Sequence, residues 1–456
     1  MATPALPPRL DPQISDFLRT EKDTIFQATE AFGSPVHFVF PQLLGENVRK
    51  FQEVFDQSAV KKPQIYFAAK VNKAESFAEE AAKANIGMDV SSIEELQSAL
   101  GHGIQGALIS VSGPIKHRRL LLLAIQHGCT ISVDSANELD ELIALSNICE
   151  IPKSSILIRL NGLSESPSRF GVNSNNLQSL LSKIPPGNRH VDLKGFHFHL
   201  NGYSVDERVA ALQIAIEELQ KARLMGHGCN TINIGGGFAI NYVDMNDWKK
   251  FKSTRIPENF MGNKNIQSFY PYGSEQGPTQ QLNSILSAQV DMHGNIANLL
   301  KVTDIQLAIE PGRSLVDQAG LTCMQIKGTK TASDGTLIVE VDANINHLSE
   351  QWFGSEYCVD PIHLQKNPDT HNSAIEAAVG GNTCLEIDML SWRKIGFVNT
   401  PKAGDLLVYA NTAGYQMDSN ESSFHQLPIP EKIAVFKKGE NWKWKKDSKY
   451  SFLDPL

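Results

Sequence analysis

Ile65-Tyr66-Phe67-Ala68-Ala69-Lys70-Val71-Asn72-Lys73 is an apolar run that ends by presenting a lysine. An ammonium is strongly hydrated, so a core-directed strand that terminates in one needs a reason. A solvated strand rim is the commoner reason. The sharper one is a desolvated amine, lowered in pKa so that it can attack an aldehyde. What the chain places around this lysine decides between them.

Outward from Lys70, apolar and β-branched runs recur at 65–69, 87–90, 107–111, 129–133, 155–160, 191–199, 230–234 and 305–309. Helical patterns fall between them at 76–84, 92–102, 116–126, 136–145, 177–184 and 206–225. Strand–helix alternation of this kind predicts an α/β fold, a parallel (β/α)8 TIM barrel, over residues 37–316. The polar, aromatic and Gly-rich stretch 241–281 is too long for an ordinary barrel connection and reads as an active-site lid or interface loop. After Val316, short strands separated by turn residues predict a mostly antiparallel β domain over 317–456. It ends in a hairpin around Gly439, and residues 1–36 are expected to pack with it.

Hydrophobic residues at 41% and charged residues at 20% describe a soluble globular chain. A net charge of -8 leaves no basic footprint for nucleic acid. There is no apolar run long enough for a membrane span and no signal-peptide pattern at the N-terminus. The six cysteines show neither a CxxC pair nor zinc-type spacing, which predicts reduced thiols and a cytoplasmic protein.

Barrel chemistry is built at the C-terminal ends of the strands. Those ends carry Lys70, Asp89, Arg159-Leu160-Asn161, His197-Phe198-His199, Gly235-Gly236-Gly237 and Glu310-Pro311-Gly312-Arg313. Three glycines after a strand let backbone N–H groups approach an anion. The seventh and eighth strand ends frame the usual phosphate site of such barrels, where Arg313 would grip bidentately. His197 and His199 share one side of a strand, a spacing that suits a divalent metal, as in barrel amidohydrolases. No further ligand set converges there, and one histidine stacked on a planar cofactor fits better. Glu310 beside a phosphate-binding arginine calls for a cationic partner, and a pyridinium nitrogen is one. A structural Arg313–Glu310 ion pair is the alternative.

With these residues in view, the chain resembles the fold-type III pyridoxal-phosphate decarboxylases. It is most similar in pattern to diaminopimelate decarboxylase and more distantly to ornithine and arginine decarboxylases. The resemblance runs from about residue 35 to residue 435. It includes Phe67-Ala68-Ala69-Lys70-Val71-Asn72, Asp89-Val90-Ser91-Ser92, Ser112-Gly113-Pro114, Ser168-Arg169-Phe170-Gly171-Val172, Gly381-Asn382-Thr383-Cys384 and Ala413-Gly414-Tyr415. It implies an alanine-racemase-like barrel that binds pyridoxal 5'-phosphate. Lys70 would carry the cofactor, His199 would stack on the ring and Glu310 would bind the ring nitrogen. Gly236, Gly237, Gly312, Arg313 and Tyr415 would line the cofactor, with Asp89 and Arg159 supporting ring and lysine. Cys384 would come from the β domain of a second subunit in a homodimer and return a proton.

The departures lie in the substrate half. Leu385 follows the cysteine where the diaminopimelate enzymes carry an acid, and Glu350 stands where they carry a carboxylate-clamping arginine. His199-Leu200-Asn201-Gly202 replaces the usual His-x-Gly-Ser turn. Glu350, Glu386 and Asp388 are therefore the candidate substrate-binding residues. The expected activity is α-decarboxylation of an amino acid or amino-acid conjugate other than diaminopimelate, with siderophore or other secondary-metabolite assembly as the context. An amino-acid racemase of the same fold and a catalytically dead binding protein are the rivals; an arginine facing the ring nitrogen would mark the racemase, and this chain offers Glu310.

Overall fold

The computed structural model describes residues 3–148, 151–164, 167–290, 294–348, 350, 356–368, 373–418 and 424–448. The chain divides into two compact units: residues 45–239 with 276–315, and residues 1–44 with 240–275 and 316–456.

The first unit is a closed barrel of eight parallel strands. These are β1 (Gln64–Ala68), β2 (Gly87–Val90), β3 (Ile109–Val111), β4 (Thr130–Val133), β5 (Ser154–Asn161), β6 (Val191–His197), β7 (Thr231–Asn233) and β8 (Gln306–Ile309). Each pairs in parallel with the next, and β8 returns to β1, so no edge is left open. The strands read as near-continuous apolar runs because both faces are covered: every residue of β2 and β3 is buried. Helix starts follow local chemistry. Ser92 accepts the Glu95 N–H at 3.1 Å while the Glu95 carboxylate accepts the Ser91 N–H at 2.7 Å, a reciprocal cap that opens Ile93–Gly101. Gly195 lets β6 curve: at φ 152° it sits where the pairing with β5 shifts register, and a Cβ there would lie 1.8 Å from the Thr231 carbonyl.

The second unit is a mostly antiparallel sheet running Met389–Phe397, Ile375–Gly380, Leu337–Val341, Gly320–Thr331, Val36–Val39, Lys432–Lys438 and Asn441–Lys446. Leu406–Ala410 pairs with the first half of Gly320–Thr331 and with Ile362–Leu364. The hairpin turns at Gly439, with φ 63°.

Two expectations are corrected here. The barrel does not begin at residue 37, because Val36–Val39 pairs with Gly320–Thr331 and Lys432–Lys438 in the sheet. Its four consecutive buried residues read equally well as a strand of either kind. The stretch 241–281, expected as an insertion within the barrel, is divided: 276–281 stays with the barrel unit. Residues 240–275 belong to the sheet unit, where Tyr242, Trp248, Phe251 and Tyr272 are buried. Tyr272 packs edge-on against Tyr357 at 5.5 Å between ring centres, so aromatic burial accounts for the composition.

Candidate active site

All eight barrel strands deliver a polar residue to the interior or to its C-terminal mouth: Lys70, Asp89, Ser110, Ser132, Arg159, His197, Asn233 and Glu310. Glu310 is the centre of this layer. Asn233 Nδ2 donates to its Oε1 at 2.6 Å, Ser110 Oγ approaches the same oxygen at 3.5 Å, and His197 Nε2 lies 3.5 Å from Oε2. His197 is oriented from its other nitrogen, with Ser132 Oγ 2.6 Å from Nδ1. Burial works against the Glu310 charge, but His197 and Lys70 outweigh it and hold the carboxyl down at about 2. Asp89 moves the opposite way. Burial and the Glu310 charge push it well above the carboxylate range, against the pull of Lys70 and a 2.8 Å bond from Ser112 Oγ. Asp89 Oδ1 is buried without a hydrogen-bond partner among the described residues.

His199 accepts the Gly236 N–H on Nδ1 at 3.2 Å. Burial and the Lys70 charge lower its pKa to about 3, so the ring is neutral and its other nitrogen carries the hydrogen. Lys70 itself is exposed, on the single turn Ala69–Val71 that follows β1, and its charge acts on Glu310, Asp89 and His199 together. Arg159 reaches Asp134 at 3.2 Å and lies 4.4 Å from the Phe170 ring centre.

The triple glycine is fixed by contacts as well as by φ. A Cβ on Gly236 would fall 2.5 Å from the Glu310 carbonyl, and one on Gly237 would fall 2.4 Å from Arg208 Nη2. Gly312 and the buried Arg313 follow directly after β8, on the neighbouring strand end.

Among the described residues no three His, Cys, Asp or Glu side chains gather in a way that could hold a metal ion. His197 instead meets Ser132 and Glu310.

The remaining candidates lie in the sheet unit. Cys384 is exposed, with Sγ 3.3 Å from His425 Nε2. Tyr415 is half-buried with φ 80°. Glu386 and Leu385 are exposed. Glu350 is fully buried and accepts from Gln416 at 2.6 Å. Asp388 is buried and spends its oxygens on Ile345 N, Thr383 N and Thr383 Oγ1 at 2.7–2.8 Å. The expectation that Glu350 and Asp388 present free carboxylates to a substrate is corrected by these bonds; of the three acids, only Glu386 faces solvent.

Sequence reading passed over Ser110, Ser132 and Asn233. Their signal is plain in retrospect: Ile109-Ser110-Val111, Ile131-Ser132-Val133 and Ile232-Asn233-Ile234 each place one polar residue between β-branched ones in a strand buried on both faces. A buried polar group there needs a partner, and the partner is the site.

A sequence profile described as "Pyridoxal-dependent decarboxylase, pyridoxal binding domain" matches residues 44–317. Uncharacterized protein y4yA of Sinorhizobium fredii is 36% identical over 95% of this chain and 95% of its own. Diaminopimelate decarboxylase of Bacillus methanolicus is 26% identical over 91% of this chain and 90% of its own. A crystal structure of the Helicobacter pylori diaminopimelate decarboxylase I148L mutant complexed with L-lysine superposes with a TM-score of 0.71. It covers 94% of this chain and 97% of that one at 18% identity, a likeness of fold. Fold and strand-end residues thus define an enzyme built to hold a pyridoxal cofactor. The chain belongs to the pyridoxal-dependent decarboxylases and is a carboxy-lyase that uses pyridoxal 5'-phosphate. Its residues fit that group: an ionised buried carboxylate suits a ring N–H, a neutral imidazole suits the ring face, and the glycine cradle suits a phosphate.

Proposed function

We propose that this decarboxylase removes the α-carboxylate of an amino acid or amino-acid conjugate other than diaminopimelate. The observation that supports it best is the convergence of Lys70, His199, Glu310 and the glycine cradle at adjoining strand ends of one barrel. Pyridoxal phosphate, when bound, supplies an aldehyde for covalent attachment and a protonated ring that takes up the electron pair left as carbon dioxide departs. In our reading Lys70 is the attaching amine. Glu310, held ionised, keeps the proton on the ring nitrogen, and His199 plates the ring. Gly236, Gly237, Gly312, Arg313 and Tyr415 line the cofactor, while Asp89 and Arg159 orient Lys70 and the ring.

The substrate's α-carbon receives its proton from Cys384 or Lys70. We place Cys384 in the site of a second copy, within a head-to-tail homodimer; its exposure in the single chain supports this. The five described cysteines are all unpaired, which supports a cytoplasmic enzyme. Among the described residues no helix is long and apolar enough to cross a membrane.

The substrate half supports the exclusion of diaminopimelate. Glu350 brings no cation for a distal carboxylate, and Leu385 brings no anion for a distal amine. This altered half fits specialised metabolism such as siderophore assembly. A carbon-dioxide release screen over basic, acidic and conjugated amino acids of both hands tests the proposal. One or more should be turned over without racemisation, and Glu310→Gln should slow that turnover by about two to four orders of magnitude. Racemisation without gas release would favour the racemase.

A further inference from the structure

Arg208 lies in the first turn of the helix Val205–Leu224, immediately behind the triple glycine. Its side chain is an anomaly. The residue is 1% exposed, yet among the described residues it makes no ion pair, and no carboxylate accepts a bond from it. Nη1 donates to the Ser204 carbonyl at 3.4 Å and Nη2 to the Gly202 carbonyl at 3.3 Å, both long contacts. Nε has no hydrogen-bond partner among the described residues. The Phe238 ring lies 5.8 Å away, and Tyr203 and Glu207 act on the guanidinium only through space. Burial pulls the guanidinium down to about 10, which still leaves it charged at neutral pH.

A buried cation with no carboxylate bonded to it is costly, and this one sits at the positive end of a 20-residue helix, where the backbone dipole adds to the cost and the first-turn acids, Glu207 among them, do not outweigh burial. Such a placement persists when an anion relieves it. The guanidinium touches the far side of the loop whose near side is the cradle: a Cβ on Gly237 would meet Nη2 at 2.4 Å and the Gly202 carbonyl at 2.9 Å. Complete burial excludes direct contact with a ligand, so the charge must act through the loop.

We propose that Arg208 is a positioning residue for the cofactor's phosphate, holding the Gly202 and Gly237 backbones together while its unneutralised charge stabilises the dianion across them. The inference rests on pyridoxal phosphate being the cofactor. It also accounts for a chain that has Gly202 where the family turn carries a phosphate-binding serine.

The test compares pyridoxal phosphate with pyridoxal, which lacks the phosphate, by measuring the affinity of both for the full-length apoprotein. Arg208→Met should weaken pyridoxal phosphate by about 10-fold or more and leave pyridoxal within about threefold, as expected for one charge several ångströms from a dianion. Arg208→Lys should keep most of the wild-type preference. Equal weakening of both ligands would reduce Arg208 to a loop brace and overturn the proposal, as would an unchanged preference. If Arg208→Met fails to fold, Arg208→Gln against Arg208→Lys makes the same comparison: preference lost by Gln and kept by Lys supports the proposal, and loss in both overturns it. Failure of the wild-type protein to bind pyridoxal phosphate at all would strike the cofactor assignment instead.

Discussion

Asn233 ties Glu310 to the glycine loop: its Nδ2 donates to Glu310 Oε1 at 2.6 Å while its Oδ1 accepts the Gly235 N–H at 2.9 Å. One amide thus fixes both the carboxylate and the first residue of the cradle, and neither Asp nor Leu can do both. Asn233→Leu removes a hydrogen bond to a buried charge, worth about 1.5–3 kcal/mol. Asn233→Asp sets a second carboxylate against the first. Turnover should fall about 10- to 100-fold in the Leu variant, and the Asp variant should show its largest deficit at high pH. Near-normal turnover in both variants would separate Asn233 from the chemistry.

Lys70 is the amine expected to hold the cofactor, and both neighbouring lysines have other partners. Lys116 is buried and fully engaged, donating to both Glu138 oxygens at 2.9 and 3.0 Å and to the Gly113 and Ser132 carbonyls. Lys73 is drawn to Glu95 at 3.4 Å and to the Ala69 carbonyl. Borohydride reduction of the holoenzyme followed by peptide mapping should place the pyridoxyl label on Lys70. A label on Lys73 or Lys116 would sink the assignment.

The barrel was legible because parallel strands covered on both faces leave continuous apolar runs, and because Lys70, the glycines and Glu310-Pro311-Gly312-Arg313 interrupt those runs where each strand ends. Residues whose meaning depends on a distant partner were not legible. Arg208 follows Asp206 and Glu207 and reads as an ordinary solvated helix position, yet it is buried. Glu350 and Asp388 read as free acids, and only the fold reveals Gln416 and Thr383 beside them. Ile375–Gly380 and Met389–Phe397 escaped notice because turn signals crowd the sequence between them and two register shifts break their ladder.

Stability should fall with acid in a defined window. Burial, with smaller effects of neighbouring cations, holds His37 and His199 at about 3, and burial holds His347 at about 4 against the pull of Asp388 and Asp342. The unfolded chain takes up these protons below the ordinary 6.5, whereas the folded chain refuses them. Their folded pKa values are depressed, so the stability is fully present above 6.5 and is lost as pH falls towards 3–4. By about pH 5 the loss should reach on the order of 1–2 kcal/mol per histidine. Urea unfolding at about pH 7.5 and about pH 5 measures it. His37→Gln should flatten part of the slope, and an unfolding free energy that stays level across this range contradicts the argument.

The last prediction concerns the distal end of the substrate. Glu350 and Asp388 are committed to Gln416, Ile345 and Thr383, so they cannot serve a cationic substrate as the sequence suggested. Around Cys384 the exposed side chains are Asn382, Leu385, Glu386 and Ile387. Diaminopimelate therefore lacks both a guanidinium for its distal carboxylate and an acid at 385 for its distal amine. Each missing desolvated charge contact costs about 2–5 kcal/mol, which predicts diaminopimelate poorer than the preferred substrate by at least ~30-fold. Restoring one partner should recover part of the loss: Leu385→Glu should raise kcat/KM about 10-fold for substrates with a distal ammonium, diaminopimelate and lysine alike. It should leave substrates without one unchanged or slower. Turnover on meso-diaminopimelate, lysine, ornithine and arginine by both proteins checks the point. A wild-type preference for diaminopimelate by a wide margin, unmoved by Leu385→Glu, would show that the distal group is held by residues other than these.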